Sequence, residues 1–174
     1  MPESNPQPKE SLSVEKLEKS FDTKYFCCGR PSPDEWLKKY AWQNQAGNTT
    51  QTYVVRNEER VIAYYSLCAG SISVDEVIVR IAAGLPKKQA IPIIKLARLA
   101  VDEEMKGCGL GKAMLKDALL RCINAADEIG ARAVVVDALD ENVRSFYERF
   151  NFESGPINQN TMMLLMKDLK KSFE

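Results

Sequence analysis

Apolar and polar positions change their period along this chain, and each period predicts an element. The strongest helical pattern lies in 110–129. Apolar residues recur there at 110, 114, 115, 118, 119, 122, 125, 126 and 129, and Gly130 follows as a stop. Two β-type runs, 50–56 and 60–71, are dominated by Thr, Tyr, Val and Ile. Asn57-Glu58-Glu59 splits them, as in a hairpin. A further strand is predicted over 91–101, with Pro92 tolerable near its start. A short buried strand follows over 131–137 and a last one over 161–166. Helical spacing also marks 74–83, closed by Gly84 and Pro86, and 141–150, ended before Asn151. Upstream, Pro31-Ser32-Pro33-Asp34-Glu35 reads as a helix start with Ser32 as N-cap and acids near the positive end. That helix is expected to run to about 45, with Trp36, Leu37, Tyr40 and Ala41 on one face.

The order is helix, hairpin, helix, strand, long helix, strand, helix, strand. Strands 91–101 and 131–137, joined by one helix, should lie parallel and adjacent. With an antiparallel hairpin before them, the fold class is α/β (α+β): a mixed sheet with helices on both faces. Residues 1–12, with three prolines, two serines and no periodic pattern, read as a flexible leader. Residues 13–174 read as a single domain without internal repeat.

Composition narrows the chemistry. The chain of 174 residues has no histidine, which excludes His-containing triads and imidazole metal sites. Its five cysteines are oddly spaced and read as reduced thiols. The chain shows neither a signal peptide nor a membrane-length apolar run, so a cytoplasmic protein is expected. Net charge is zero, from 24 basic and 24 acidic residues. The distribution says more: from Val77 to Val101 no acid occurs, while Arg80, Lys87, Lys88, Lys95 and Arg98 do. Such a stretch can attract phosphates on a neutral protein, unless acids compensate it in space.

The sequence Lys106-Gly107-Cys108-Gly109-Leu110-Gly111-Lys112 links the strand 91–101 to the long helix. Glycines allow close backbone approach and positive φ, and a helix amino end offers unpaired N–H groups. The combination is an anion site suited to a pyrophosphate. A P-loop is excluded because Ala113, not Ser or Thr, follows Lys112. The dinucleotide fingerprint fails because its third glycine would fall on Lys112 or Met114.

The same loop resembles the acetyl-CoA loop of the GNAT superfamily, patterned Q/R-x-x-G-x-G/A, with Lys106 at the first position. Arg98-Leu99-Ala100-Val101-Asp102 is similar to the splayed strand before that loop. Asn142 to Phe152 is similar to the family's helix and following strand, with Asn151 in place of the usual glycine. The resemblance implies a GNAT fold over roughly 20–168, acetyl-CoA as acetyl donor and no metal. It implies cofactor contacts from Leu99, Ala100, Val101, Lys106, Gly107, Cys108, Gly109, Leu110, Gly111, Lys112, Asn142 and Phe146. Tyr147 matches the family's general acid. A phenol with pKa about 10 stays protonated near neutrality, as a donor to the leaving thiolate must.

Within the superfamily, the chain most resembles toxins that acetylate aminoacyl-tRNA in type II toxin–antitoxin systems. Phe26-Cys27-Cys28-Gly29-Arg30, Trp36 to Ala41, Ala63-Tyr64-Tyr65-Ser66-Leu67, Gly84-Leu85-Pro86 and Asp140-Glu141 carry that likeness. It implies transfer of acetyl to the α-amino group of a charged tRNA, inhibition of translation, a ribbon-helix-helix antitoxin as partner and a possible homodimer. Arg30, Arg80, Lys87, Lys88 and Lys95 are the expected tRNA contacts. Trp42, able to stack a base, is expected instead in the core. A GNAT enzyme for a small amine or a protein N-terminus remains open, as does a CoA-binding module without catalysis.

Overall fold

Seven short strands of this chain hydrogen-bond into one sheet in the order β1-β2-β3-β4-β5-β7-β6, in a computed structural model that describes residues 13–174. The leader expected over 1–12 lies outside the described residues. The hairpin reading holds: β2 (Gln51–Asn57) and β3 (Arg60–Ile72) pair antiparallel. β4 (Ile91–Val101) pairs antiparallel with β3 and parallel with β5 (Ala133–Asp137), and α4 (Leu110–Ile129) makes the crossover. β7 (Thr161–Leu165) runs antiparallel to β5. Every pairing except that of β4 with β5 is antiparallel.

Alternation along the strands separates two apolar layers. Ile94, Leu96, Val134, Val136, Met162 and Leu164 turn to one face, where α4 lays Met114, Leu115, Ala118 and Cys122 on them. This is the larger core. α5 (Glu141–Glu148) and α6 (Met166–Ser172) complete it with Tyr147 and Leu169. On the opposite face, α1 (Pro31–Lys39) and α2 (Ala41–Ala46) cover Val54, Val61, Tyr64 and Ala100 with Leu37 and Ala41. α3 (Val79–Ala82) covers Ile91, Ile93 and Val135 with Ile81.

Four details depart from the expected elements. The first helix begins at Pro31 with Arg30 at the N-cap, since a proline at the first helical position gives up only an N–H that has no partner there. Ser32 is not the cap; its hydroxyl accepts from Arg98 at 3.2 Å. The helix breaks at Tyr40 (φ −119°), which leaves Tyr40 47% exposed, and Trp42, expected in the core, is 37% exposed on the outer side of α2. The helix expected over 74–83 shrinks to α3. Ser73 and Glu76 close a capping box around a 3-10 turn at Val74–Glu76, and extended Val77 interrupts the chain. Finally, β1 (Val14–Lys16), β6 (Glu153–Ser154) and α6 were not anticipated, because the two edge strands are too short to show a period.

Candidate active site

β4 changes character in its middle. Its pairing with β5 covers only Ile93 to Leu96, against Ala133 to Val136. Beyond that, β4 continues to Val101 beside β3 alone. A bulge accompanies the change: Leu96 pairs with Leu67 and Arg98 with Ser66, so Ala97 has no partner on β3. The bulge reverses the phase of the strand. Before it, the Pro92 carbonyl faces β5 and accepts from the Arg132 N–H at 2.8 Å. After it, the Asp102 N–H points to β3 and donates to the Ile62 carbonyl at 2.9 Å. Backbone groups alternate along a strand, so those of Leu99 and Val101 face the open edge.

The gap between the splayed strands is a cavity of about 530 Å³. Its walls come from both faces of the sheet. Cys28, Arg30 and Pro33 stand on the α1 side; Gly109, Gly111 and Lys112 stand on the α4 side; α5 adds Asn142, Phe146 and Tyr147.

α4 begins at this cavity uncapped. Its first internal bond runs from the Ala113 N–H to the Gly109 carbonyl at 3.1 Å, and no side chain caps the N–H groups ahead of it. Gly107 and Gly109 hold φ of 80° and 83° with nothing within 4 Å of a would-be Cβ. Glycine is demanded there by the backbone angle, not by crowding. A Cβ at Gly111 would meet Val101 Cγ2 at 3.7 Å, so the amide cradle lies against the open half of β4. Helix dipole and unpaired amides together favour a phosphate at this end. The open strand edge suits a ligand with amides of its own, so donor set and shape fit an acyl-pantetheine arm ending in a diphosphate.

Tyr147 is 3% exposed and lines the cavity. Phe146 and Phe152 pack edge-on against its ring, at 5.2 and 5.3 Å between centroids. Burial alone pushes its phenol well above the usual value, and no hydrogen-bond partner contributes. The phenol therefore stays protonated near neutrality, and the packing fixes its ring. Cys28, also on the wall, is pushed up to about 11, mainly by burial and then by Asp34. It stays a thiol and does not compete as a nucleophile.

Of the residues expected to hold a cofactor, Leu99, Ala100, Val101, Lys106, Gly107, Gly109, Leu110, Gly111, Lys112, Asn142 and Phe146 all line this cavity. Cys108 does not; its thiol turns back to the Met105 carbonyl at 2.7 Å. Lys106 has a second engagement: its Nζ donates to the Cys28 carbonyl at 2.5 Å, tying the segment before α1 to the loop after β4. Buried Asp102 reinforces that tie by accepting from the Cys27 N–H at 3.1 Å and from Arg60 at 3.2 Å.

The expected nucleic-acid contacts separate. Arg30 stands at the cavity and pairs with Asp140 at 2.6 Å. Lys95 pairs with Asp137 at 2.9 Å, and Arg80 is engaged by Asp168 and Glu153. Lys87 and Lys88 are exposed just ahead of β4, at the end opposite the glycine loop. Acids distant in sequence thus compensate Arg80 and Lys95, and the basic stretch does not make one surface. Arg98, expected only as part of the basic stretch, reaches the cavity, and so does Arg149, which was not expected as a site residue. Five cations line it, with Arg30, Lys106 and Lys112, against one carboxylate, Asp137. The net charge of zero conceals this local excess.

Among the described residues no three His, Cys, Asp or Glu side chains gather to hold a metal, and no helix is long and apolar enough to cross a membrane.

Comparison with known proteins agrees with this geometry. The acetyltransferase (GNAT) domain family matches residues 48–154. A tRNA-acetylating toxin of Mycobacterium tuberculosis is 38% identical over 155 residues, covering 89% of this chain and 92% of that protein. AtaT complexed with acetyl-methionyl-tRNAfMet superposes with a TM-score of 0.84 at 24% identity, over 94% of this chain and 99% of that one. A mutant AtaT toxin bound to the C-terminus of the antitoxin AtaR superposes with a TM-score of 0.79 at 23% identity, over 93% and 98%. At such identities the two superpositions establish likeness of fold.

Proposed function

The chain belongs to the GNAT acetyltransferases and is a relative of the tRNA-acetylating toxins, and from that premise we propose that it transfers acetyl from acetyl-CoA to the α-amino group of aminoacyl-tRNA and so inhibits translation. One observation carries the chemistry. The uncapped end of α4, the open edge of β4 and Tyr147, whose hydroxyl has no hydrogen-bond partner among the described residues, all line one cavity.

Acetyl-CoA supplies an acetyl thioester. The amides at the start of α4, with Lys112 beside them, hold its diphosphate. The Leu99 and Val101 backbone groups bind the amides of its arm, and Asn142 and Phe146 form the wall opposite. The attacking amine forms a C–N bond to the acetyl carbon while the C–S bond breaks. Negative charge on the carbonyl oxygen is met by N–H groups of the open strand edge. Tyr147 gives its hydroxyl proton to the leaving thiolate, and the resulting phenolate recovers a proton from the newly acylated nitrogen. With no histidine to act as base, an acceptor amine that is already neutral suits the site. An α-amine has pKa about 7.7–8.0, and the adjacent ester of a charged tRNA lowers it further.

The excess of cations around the cavity attracts the phosphates of such an acceptor. Arg30 stands where the acceptor end arrives. Lys87 and Lys88 reach only a more distant part of a long polyanion, and Arg80 and Lys95 contribute less because acids already match them. A ribbon-helix-helix antitoxin covering the cavity, a homodimer and a cytoplasmic location complete the proposal.

The test is translation in vitro with and without acetyl-CoA, followed by mass analysis of the aminoacyl-tRNA. A gain of one acetyl group on the amino acid, dependent on acetyl-CoA, is expected. Acetylation of free amines or protein N-termini with charged tRNA untouched would overturn the tRNA assignment. Coenzyme binding without turnover on any amine would overturn the enzyme.

A further inference from the structure

The cations around the cavity are not equivalent. Arg98 is held on the α1 side: its guanidinium lies 5.5 Å from the centroid of Trp36 and donates to Ser32. Lys106 is committed to the Cys28 carbonyl. Lys112 belongs to the amide cradle of α4, and Arg149 stands at the far end of α5. Arg30 alone among these five is paired with a carboxylate at the start of α5. It comes from the segment ahead of α1 and meets Asp140, the N-cap of α5, at 2.6 Å across the mouth of the splay.

We propose that Asp140 holds the place of an acceptor phosphate. Arg30 exchanges the Asp140 carboxylate for a phosphate of the incoming aminoacyl-nucleotide, and this exchange opens the mouth to acceptors of that class. The inference rests on the acceptor reading above and adds to it a residue that discriminates for phosphate, with a built-in competitor.

Local structure favours an exchange of side chains rather than a movement of backbone. The chain on either side of Arg30 is fixed. The Cys28 N–H donates to Asp34 at 2.9 Å, the Cys28 carbonyl accepts from Lys106, and Gly29 holds a left-handed φ of +90° that a side chain would strain. Asp140 is fixed as well, since its Oδ1 accepts from the Val143 N–H at 3.0 Å and caps α5 whether or not Arg30 is present. The Arg30 and Asp140 side chains are 35% and 46% exposed, so the pair is well hydrated and easily replaced. A phosphodiester matches the planar fork of arginine in two hydrogen bonds, as a carboxylate does, and carries the same single charge, so the exchange is close to even and the other contacts of the nucleotide tip it.

Asp140→Asn keeps an acceptor oxygen for the Val143 N–H, because asparagine is an equally good N-cap. It removes only the charge that competes for Arg30. Arg30→Ala removes the residue both partners want. If the pair were a structural strap, the two substitutions would act alike. Exchange predicts opposite signs for charged tRNA at saturating acetyl-CoA. Asp140→Asn should lower KM about threefold and Arg30→Ala should raise it about tenfold, with kcat nearly unchanged and Arg30→Lys between wild type and alanine. In the Arg30→Ala background, Asp140→Asn should do nothing, which separates exchange from a general gain in positive potential. For an amino-acid methyl ester, which carries no phosphate, both single substitutions should shift KM in the same direction. Shifts of the same sign on charged tRNA, or an equal effect of Asp140→Asn with and without Arg30, would overturn the exchange and leave the acceptor assignment standing. A wild-type protein that acetylates the ester but not charged tRNA would overturn both.

Discussion

From Ile93 to Leu96, β4 has a strand on either edge; from Arg98 to Val101 it has β3 alone. The first half places Ile91, Ile93, Ile94 and Leu96 in the two cores. The second half leaves Leu99 and Val101 partly buried and their backbone groups open to the cavity. One strand thus supplies both stability and chemistry, and the difference is whether its hydrogen-bonding groups are already used. An open edge usually invites another strand. Here the amino end of α4 and the flank of α5 close around it, so the edge is reserved for a ligand of strand-like shape. The bulge at Ala97 separates the two halves and turns the correct backbone groups outward.

Substitutions confined to one half or the other should break the comparison if it is wrong. The largest effect belongs to the open half. Tyr147→Phe keeps the ring in its aromatic nest and should lower kcat about 10²–10⁴-fold, the usual worth of a positioned proton donor. Calorimetry should find acetyl-CoA binding unchanged. The pH profile of the wild type sharpens this point. Burial raises the Tyr147 phenol, so the donor stays protonated as pH rises. Activity should climb with deprotonation of the acceptor amine and show no alkaline fall up to at least pH 10, the value at which an ordinary phenol begins to ionise. A descending limb below that pH would assign the proton to another group.

Next comes the paired half. Ile94→Ala should cost about 2–5 kcal/mol of stability in urea unfolding, as a buried residue under α4. The folded fraction should keep a normal kcat. Gly109→Ala should weigh more on binding. Its strain of about 1–2 kcal/mol comes from a left-handed backbone angle and should lower the melting temperature by about 2–8 °C, while the shifted loop weakens acetyl-CoA binding about tenfold. Smallest of all, Lys95→Gln removes a half-exposed pair with Asp137 and should change stability by less than about 1 kcal/mol. If Lys95 serves as a phosphate contact, its loss should also flatten the salt dependence of tRNA binding.

Much of this arrangement is legible in the residues. The open half of β4 is legible as a likeness over 98–102, but its bulge is not, because apolar residues at 91, 93, 94, 96, 97, 99, 100 and 101 leave no clean period of two. The uncapped helix start is legible too, because glycines fill 107, 109 and 111 where a capping serine or aspartate would otherwise stand. Tyr147 as a donor was read from a motif, and its isolated hydroxyl needed the fold. Trp42 was misplaced: with Trp36, Leu37, Tyr40 and Ala41 on the inward face, helical spacing already sets it on the opposite side, and it stands 37% exposed. The three-residue β1 and two-residue β6 carry too little sequence to show a period, and their places depend on the strands they pair with.

The amino-acid sequence by itself determined the hairpin, the central strands, the long helix, their order and the glycine loop, because each depends on residues a few positions apart that share one stretch of backbone. It did not determine which cations are free. Arg30 finds Asp140, Lys95 finds Asp137, Arg80 finds Asp168 and Lys106 finds the Cys28 carbonyl only once the sheet has closed. Coulomb and hydrogen-bond energies fall off over a few ångströms of space, whatever the separation along the chain. Only the tertiary structure could therefore turn a neutral composition into a cationic cavity with a carboxylate lying across its mouth.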